Sequence, residues 1–320
     1  MTQGRASRTP PTGDGPAGPP VVSRLASASF AVWFPFFRWL VSRVPSEWIA
    51  RLAAATVERA IWARESVREA ILENHAAVLG LPVDRPEVEE SARAMLGHHS
   101  RSWIDLLRFS ERPPTDLDAV VPERVGTEHL VAARDAGRGA ILLTAHVGNF
   151  EVGGFFLGIL GLKLAVVYLP DPSPVVERDR KSARDRLGIL SLPLTSELSA
   201  VKILRSLEQG YFVAIQGDRD YAGTGRILPF LGRPVSFPLG PFRIAGAAGV
   251  PLLPVFVLRR PDGAYRTVVE APIRVEVAGR SQRDAAERRA MEQFVALFER
   301  TVREYHTQWY TFTRYWEPSA

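Results

Sequence analysis

Between residues 137 and 277 the chain carries short, unbroken apolar runs separated by stretches of helical periodicity. Ala140-Ile-Leu-Leu-Thr-Ala145, Leu164-Ala-Val-Val-Tyr-Leu169, Tyr211-Phe-Val-Ala-Ile215 and Leu252-Leu-Pro-Val-Phe-Val257 each have the length of a single strand. Continuous rather than alternating hydrophobicity is the pattern of a strand covered on both faces. Residues 265–277 alternate instead, as a more exposed strand does. Helical spacing falls around 149–161, 176–187, 196–208 and 239–248, and again at 281–307. Strands alternating with helices predict an α/β fold with a central, largely parallel or mixed β-sheet flanked by helices.

The first 110 residues follow a different pattern. Ser46 after Pro45, with Glu47 behind it, reads as an N-cap opening a helix that runs to about residue 79, with a break near Glu65. Gly80-Leu-Pro82 stops it, and residues 86–110 form a second helix with Leu96, Trp103, Leu106 and Leu107 on its apolar side. With no second linker, residues 46–320 read as one domain, mainly helical over 46–110 and α/β over 137–320. The first twenty residues hold five prolines and four glycines, so residues 1–22 are expected to be a disordered tail.

Residues 23–45 lie between tail and domain. Phe30, Trp33, Phe36, Phe37 and Trp39 make this segment densely aromatic, with Arg24, Arg38 and Arg43 beside it. A membrane-spanning helix needs about 20 apolar residues; this one is shorter and contains Pro35. It is expected to lie in a membrane interface, aromatics at headgroup depth and arginines toward anionic lipid phosphate. A core helix is the competing reading.

Composition narrows the chemistry. The 320 residues include no cysteine, which excludes disulfides, thiolate catalysis and cysteine-ligated metals. Net charge is +5, and all but three of the 40 basic residues are arginine. Codon bias explains much of that excess; an anionic partner is the alternative. Nucleic acid is not expected, since acids are interspersed and no dense basic run occurs.

The sharpest motif sits where the first buried strand ends, at Thr144-Ala-His146-Val-Gly-Asn-Phe-Glu151. A histidine there stands in the crevice where α/β sheets place ligands. Glu151 falls in the first helical turns beyond it and is expected to reach back to the imidazole, leaving the other ring nitrogen as a general base. There is no Gly-x-Ser-x-Gly elbow and no thiol, so the hydroxyl deprotonated belongs to the substrate. A metal site is not expected: His-Glu-x-x-His is missing, and His98-His99 reads as a surface pair. Asp218-Arg219-Asp220 follows another buried strand and fits either the same crevice or a metal and nucleotide-sugar site of a glycosyltransferase. Arg180 and Arg184, four residues apart on one helical face, suit a phosphate clamp, a dock for an acidic carrier protein, or a solvated charged surface.

Taken in order, these motifs resemble the bacterial lipid A biosynthesis (late) acyltransferases of the lysophospholipid acyltransferase superfamily. His146-x4-Glu151 is similar to the catalytic box, Arg184-Asp-Arg186 to a basic pair, Asp218-Arg-Asp-Tyr221 to an Asp-x-Asp-Tyr motif. Phe230–Pro241 and Val250–Val255 resemble a Gly/Pro-rich turn and the next strand, and Gln308-Trp-Tyr and Arg314-Tyr-Trp316 a C-terminal signature. The resemblance spans about residues 25–316. It implies a glycerol-phosphate/lysophospholipid acyltransferase-like fold and transfer of a fatty acyl group, without a cofactor, from acyl-carrier protein or acyl-CoA to a lipid hydroxyl. A lipid A precursor, glycolipid or lysophospholipid is the implied acceptor, met at the cytoplasmic face of a bacterial inner membrane. His146 and Glu151 would be catalytic. Arg186, or backbone N–H groups near Gly148 and Asn149, would meet the oxyanion, and Arg184, Asp218, Arg219 and Asp220 would shape the substrate site. A metal-dependent glycosyltransferase and a non-catalytic lipid-binding protein are the alternatives.

Overall fold

The computed structural model describes residues 36–110, 119–159, 161–195, 198–276 and 279–316. The expected tail, Phe30 and Trp33 lie outside these residues. Seven strands form the main sheet: β1 (Glu123–Val125), β2 (Ala140–Thr144), β3 (Leu164–Tyr168), β4 (Leu190–Pro193), β5 (Phe212–Gln216), β8 (Leu252–Arg259) and β9 (Tyr265–Val269). Their order is β1-β9-β8-β2-β5-β3-β4, and every neighbouring pair is parallel except β8 with β9. The four apolar runs are β2, β3, β5 and β8, so the mixed α/β class read from the pattern is the observed one. The alternating stretch contributes only β9 as a strand, between β8 and the edge strand β1.

Side chains alternate between two cores. One face of β2 and β5 (Ile141, Leu143, Val213, Ile215) packs on the helices Ser199–Glu208, Gly240–Ala248 and Arg283–Glu304. The other face (Ala140, Leu142, Phe212) packs under the helix Phe150–Ile159 and the end of Pro86–Phe109. The helix Pro174–Arg186 flanks that second face, its Ala183 buried close to Ile189.

Local signals account for several boundaries and fail at others. The N-terminal helical run breaks at Ala63–Arg64 before Glu65–Leu79, as the pattern suggested, and has a π-turn at Ala54–Glu58. Ser46 is not the cap: Pro45 holds that position, and the Ser46 hydroxyl instead faces Glu47 at 3.3 Å. The expected Gly/Pro-rich turn around Phe230 is a hairpin, β6 (Arg226–Phe230) with β7 (Arg233–Phe237). Its two-residue turn has Leu231 at φ 51° and Gly232 at φ 77°, the positive-φ pair that lets two twisted strands meet.

The first core is centred on aromatic rings. Phe298 stacks on Phe230 at 4.8 Å and on Phe294 at 6.2 Å, with Trp309 edge-on at 6.4 Å. Phe298 is fully buried. Phe298→Ala is therefore expected to cost about 3–5 kcal/mol, read as a lowered urea midpoint at unchanged m-value.

Candidate active site

Parallel strands advance together, so residues equally far past paired strand ends are neighbours. Thr144 pairs with Gln216, and two residues beyond them stand His146 and Asp218. Both Asp218 carboxylate oxygens lie 2.9 Å from His146 Nδ1, and one also accepts the His146 backbone N–H at 3.1 Å. Asp218 is 1% exposed. Burial by itself would raise its pKa; the charges and hydrogen bonds of His146, with Arg219, outweigh this and hold the carboxyl below its usual range. With Nδ1 committed, Nε2 is the ring nitrogen left for a substrate.

The expected contact between Glu151 and His146 is not formed. Glu151 is ion-paired with Arg180, which also faces Asp171 at 3.7 Å. The reason lies in the turn between them. Gly148 adopts φ 68°, and a Cβ there would come within 2.1 Å of the Val257 carbonyl oxygen. The turn sends helix Phe150–Ile159 onto the face of the sheet where Pro174–Arg186 supplies a cation, whereas β5 supplies the carboxylate for the imidazole.

The backbone amides proposed for an oxyanion are also occupied. Gly148 N–H donates to Gln308 O at 2.9 Å, and Asn149 N–H to Val257 O at 2.7 Å. The Asn149 side chain accepts from Val152 N–H, capping the helix, and donates to the Tyr265 hydroxyl. Tyr310 N–H in turn donates to His146 O at 2.8 Å, and Val147 bridges to Trp309. The segment Gln308–Tyr310 thus lies antiparallel along the histidine loop, while the Gln308 side chain bonds the backbone of Arg259 twice at 2.8 Å. The C-terminal signature is a clamp on the His146 loop, a role that spacing alone did not disclose.

The remaining candidates separate into those lining the site and those outside it. Arg184 is buried against the Tyr168 ring at 4.0 Å, 3.8 Å from Glu177, with Nε and one terminal nitrogen lacking hydrogen-bond partners. Arg180 stands over Trp103 at 5.7 Å. Arg219 donates to Tyr310 O at 2.6 Å. Asp220 accepts from Gly225 N–H at 2.7 Å and from the Ser236 hydroxyl at 2.8 Å, bracing the β6–β7 hairpin. The carboxylates of Asp218 and Asp220 therefore serve different partners and do not converge on one point. Among the described residues no cluster of metal-ligating side chains occurs. Arg186 is exposed and donates to Ser110 O and the Ser182 hydroxyl, outside the site.

His146, Glu151, Arg180, Arg184, Arg219 and Asp220 all line one cavity of about 650 Å³ at the carboxyl ends of the strands. His99 lines it too, packed against Tyr310 and Phe312 rather than lying on the surface, and burial lowers its pKa to about 4. Beside the cavity, residues 36–43 are helical and expose Phe36, Phe37 and Trp39. Arg38 turns inward to Asp179, a cavity residue, instead of toward an outside anion. Trp48 and Leu52 extend the exposed apolar face along Ser46–Ala53. No described helix is long and apolar enough to cross a membrane.

A histidine held by a buried aspartate at the switch point of an α/β sheet, above an apolar cavity, has the build of an acyl-transfer site. The chain belongs to the bacterial lipid A biosynthesis acyltransferase family, whose model matches residues 22–317, and is an acyltransferase. It is 30% identical over 223 residues to the phosphatidylinositol mannoside acyltransferase of Mycobacterium tuberculosis (strain CDC 1551 / Oshkosh), covering 68% of this chain and 69% of that one. The protein of the same name from Mycolicibacterium smegmatis is 30% identical over 205 residues, or 63% and 66% of the two chains.

Because the Asp218 carboxyl has a lower pKa folded than unfolded, its ionised form stabilises the fold at neutral pH. That contribution is full above the unfolded carboxylate range near pH 4 and is lost as pH falls through the lower folded value. The stability difference between wild type and Asp218→Asn, from urea denaturation, should accordingly be largest near neutrality and shrink below about pH 4. A difference that grows with acidity would contradict the assignment.

Proposed function

We propose that the protein transfers a fatty acyl group from a thioester to a hydroxyl of a phosphorylated glycolipid, with His146 Nε2 as general base. The single observation that carries this reading is the His146–Asp218 pair, with His146 lining the cavity and Asp218 buried behind it. Asp218 accepts Nδ1–H and fixes the tautomer, so Nε2 presents a lone pair. The acceptor hydroxyl gives its proton to Nε2 as its oxygen attacks the thioester carbonyl. Collapse of the tetrahedral intermediate breaks the C–S bond, and the departing thiolate takes the proton back from Nε2. Asp218 stabilises the imidazolium in between. No covalent acyl-enzyme is required, in keeping with a chain that has no cysteine and no serine elbow.

Glu151 acts here through Arg180, holding a cation in the cavity wall next to Arg184. Both thioester donors, coenzyme A and the phosphopantetheine arm of a carrier protein, carry phosphate, and the two arginines that line the cavity wall suit it. The donor's hydrocarbon fits the pouch beneath helix Phe150–Ile159, walled by Leu106, Leu142, Leu157, Ala214 and Val255. A Cβ on Gly154 would sit 3.6–3.7 Å from Ile189 and Leu164, so a larger side chain at this position shortens the pouch.

The names of the mycobacterial relatives favour a mannosylated phosphoinositide over a lipid A precursor as acceptor. The exposed aromatics of residues 36–52 favour work at the surface of an anionic membrane, on the cytoplasmic side where acyl thioesters are made.

Purified protein given palmitoyl coenzyme A or palmitoyl carrier protein, with mannosylated phosphatidylinositol or a lipid A precursor in micelles, tests the reading by mass spectrometry of the lipids. His146→Ala and Asp218→Asn should each lose about 10²–10⁴-fold in kcat while remaining folded by circular dichroism. Glu151→Gln should act mainly on the donor KM. Wild-type turnover in His146→Ala would overturn the mechanism. Gly154→Leu should shift the donor profile toward shorter acyl chains than the wild type uses, and an unchanged chain-length profile would displace the pouch assignment.

A further inference from the structure

We infer that the site has a second hydrocarbon pouch, on the opposite face of the sheet, and that it receives an acyl chain of the acceptor lipid. This rests on the acyl-transfer reading. The cavity wall includes residues from both cores. Val255, Leu142 and Ala214 face helix Phe150–Ile159, whereas Val167, Ile203, Ile215, Leu239 and Ile244 belong to the other side, under the helices Ser199–Glu208 and Gly240–Ala248. Topology requires such a split. The chain leaving β2 enters a helix on one face, while the chain leaving β5 reaches, through the β6–β7 hairpin, a helix on the other. The crevice between the ends of β2 and β5 therefore opens to both sides, with His146 and Asp218 at the junction.

The two pouches differ in chemistry, and this assigns their occupants. Arg180 and Arg184 line the cavity on the side of Tyr168 and helix Pro174–Arg186, where the donor's phosphates would sit. The five residues just named are all apolar, and the polar cavity residues of the β5–β6 connection, Asp220, Tyr221 and Thr224, are half-buried or exposed rather than part of this buried wall. A pantetheine arm, with two amides to satisfy, would be desolvated there without partners. An alkyl chain has no such demand. The donor has one chain, already placed, so the second pouch falls to the acceptor. Its rim agrees: Leu194, Leu198 and Tyr221 are 44%, 65% and 58% exposed. Leu194 and Tyr221 also line the cavity, leaving an apolar lip by which a chain can pass from a lipid layer to the junction.

Photolabelling tests the assignment. The full chain in mixed micelles is given two probes in turn: phosphatidylinositol with a diazirine on one acyl chain, and a coenzyme A thioether whose hexadecyl chain ends in a diazirine. Peptide mapping should place the phosphatidylinositol label on Ser199–Glu208 and Gly240–Ala248, and the thioether label on Phe150–Ile159 and Pro86–Phe109. Ile244→Trp, at a half-buried position in the cavity wall, should cut the phosphatidylinositol label about tenfold and leave the thioether label unchanged. Gly154→Leu should do the reverse. Both labels on the same helices, or phosphatidylinositol label confined to residues 36–52, would overturn the second pouch. If the labels partition as expected while no thioester is consumed with any acceptor, the pouch stands and the reaction assigned to His146 falls.

Discussion

The pairing of β2 with β5 is the constraint on which the site depends. These strands are not consecutive; β3 and β4 intervene in sequence, and β5 inserts between β2 and β3. That insertion places His146 beside Asp218, and nothing local to either motif could do so. It also buries a carboxylate, which is unfavourable unless its oxygens are satisfied. Here one backbone N–H, one imidazole and the Arg219 charge at 4.0 Å supply what burial removes. The arrangement holds only while the histidine loop stays in register, which explains why the chain's end returns as Gln308–Tyr310 to bond that loop on its other side. Trp309, fully buried among Phe230, Phe298 and Tyr315, ties the clamp to the first aromatic core. Global stability and the alignment of His146 are thereby carried by the same side chains.

Electrostatics divides the cavity around that pair. The carboxylates on helix Pro174–Arg186 and near it, Glu177 and Asp171, together with Glu151, hold Arg184 and Arg180 in place without fully saturating them. An arginine buried against an aromatic ring keeps its charge, and both guanidinium side chains line the cavity that an anion would enter. Placing Glu151 on this network rather than on His146 separates two contacts that the motif's spacing made one: Asp218 holds the imidazole, and Glu151 holds the cation.

Much of this was legible in the chain and some was not, for identifiable reasons. The buried strands showed as apolar runs because both their faces are covered, and His146 stood out because it follows one of them directly. The partner of the imidazole was misread because a carboxylate five residues away looks closer than one seventy-two residues away; only strand order brings the second within 2.9 Å. Asp218 itself had been singled out, but its contact depended on register. His98 and His99 looked like surface because nothing in a helical pattern reveals that Tyr310 and Phe312 will return to cover the second of them. The β6–β7 hairpin hid behind its prolines: Pro229 and Pro234 sit opposite each other in a two-stranded ribbon, where every strand is an edge and a missing N–H costs little.

The helix at residues 36–43 connects these parts to the outside. Its inner side places Val41 against Ile49, Ile104, Leu107 and Val176, so it is seated on the two helices that wall the cavity. Arg38 makes the same connection electrostatically, through Asp179 on the cavity's edge. The outward aromatics are thus fixed relative to the cavity mouth rather than hung on a free leader. An enzyme acting on an acceptor held in a bilayer gains from such a fixed offset. Arg38 is thus neutralised within the protein by Asp179, whereas Arg43 at the end of the same helix stays exposed beside the outward aromatics.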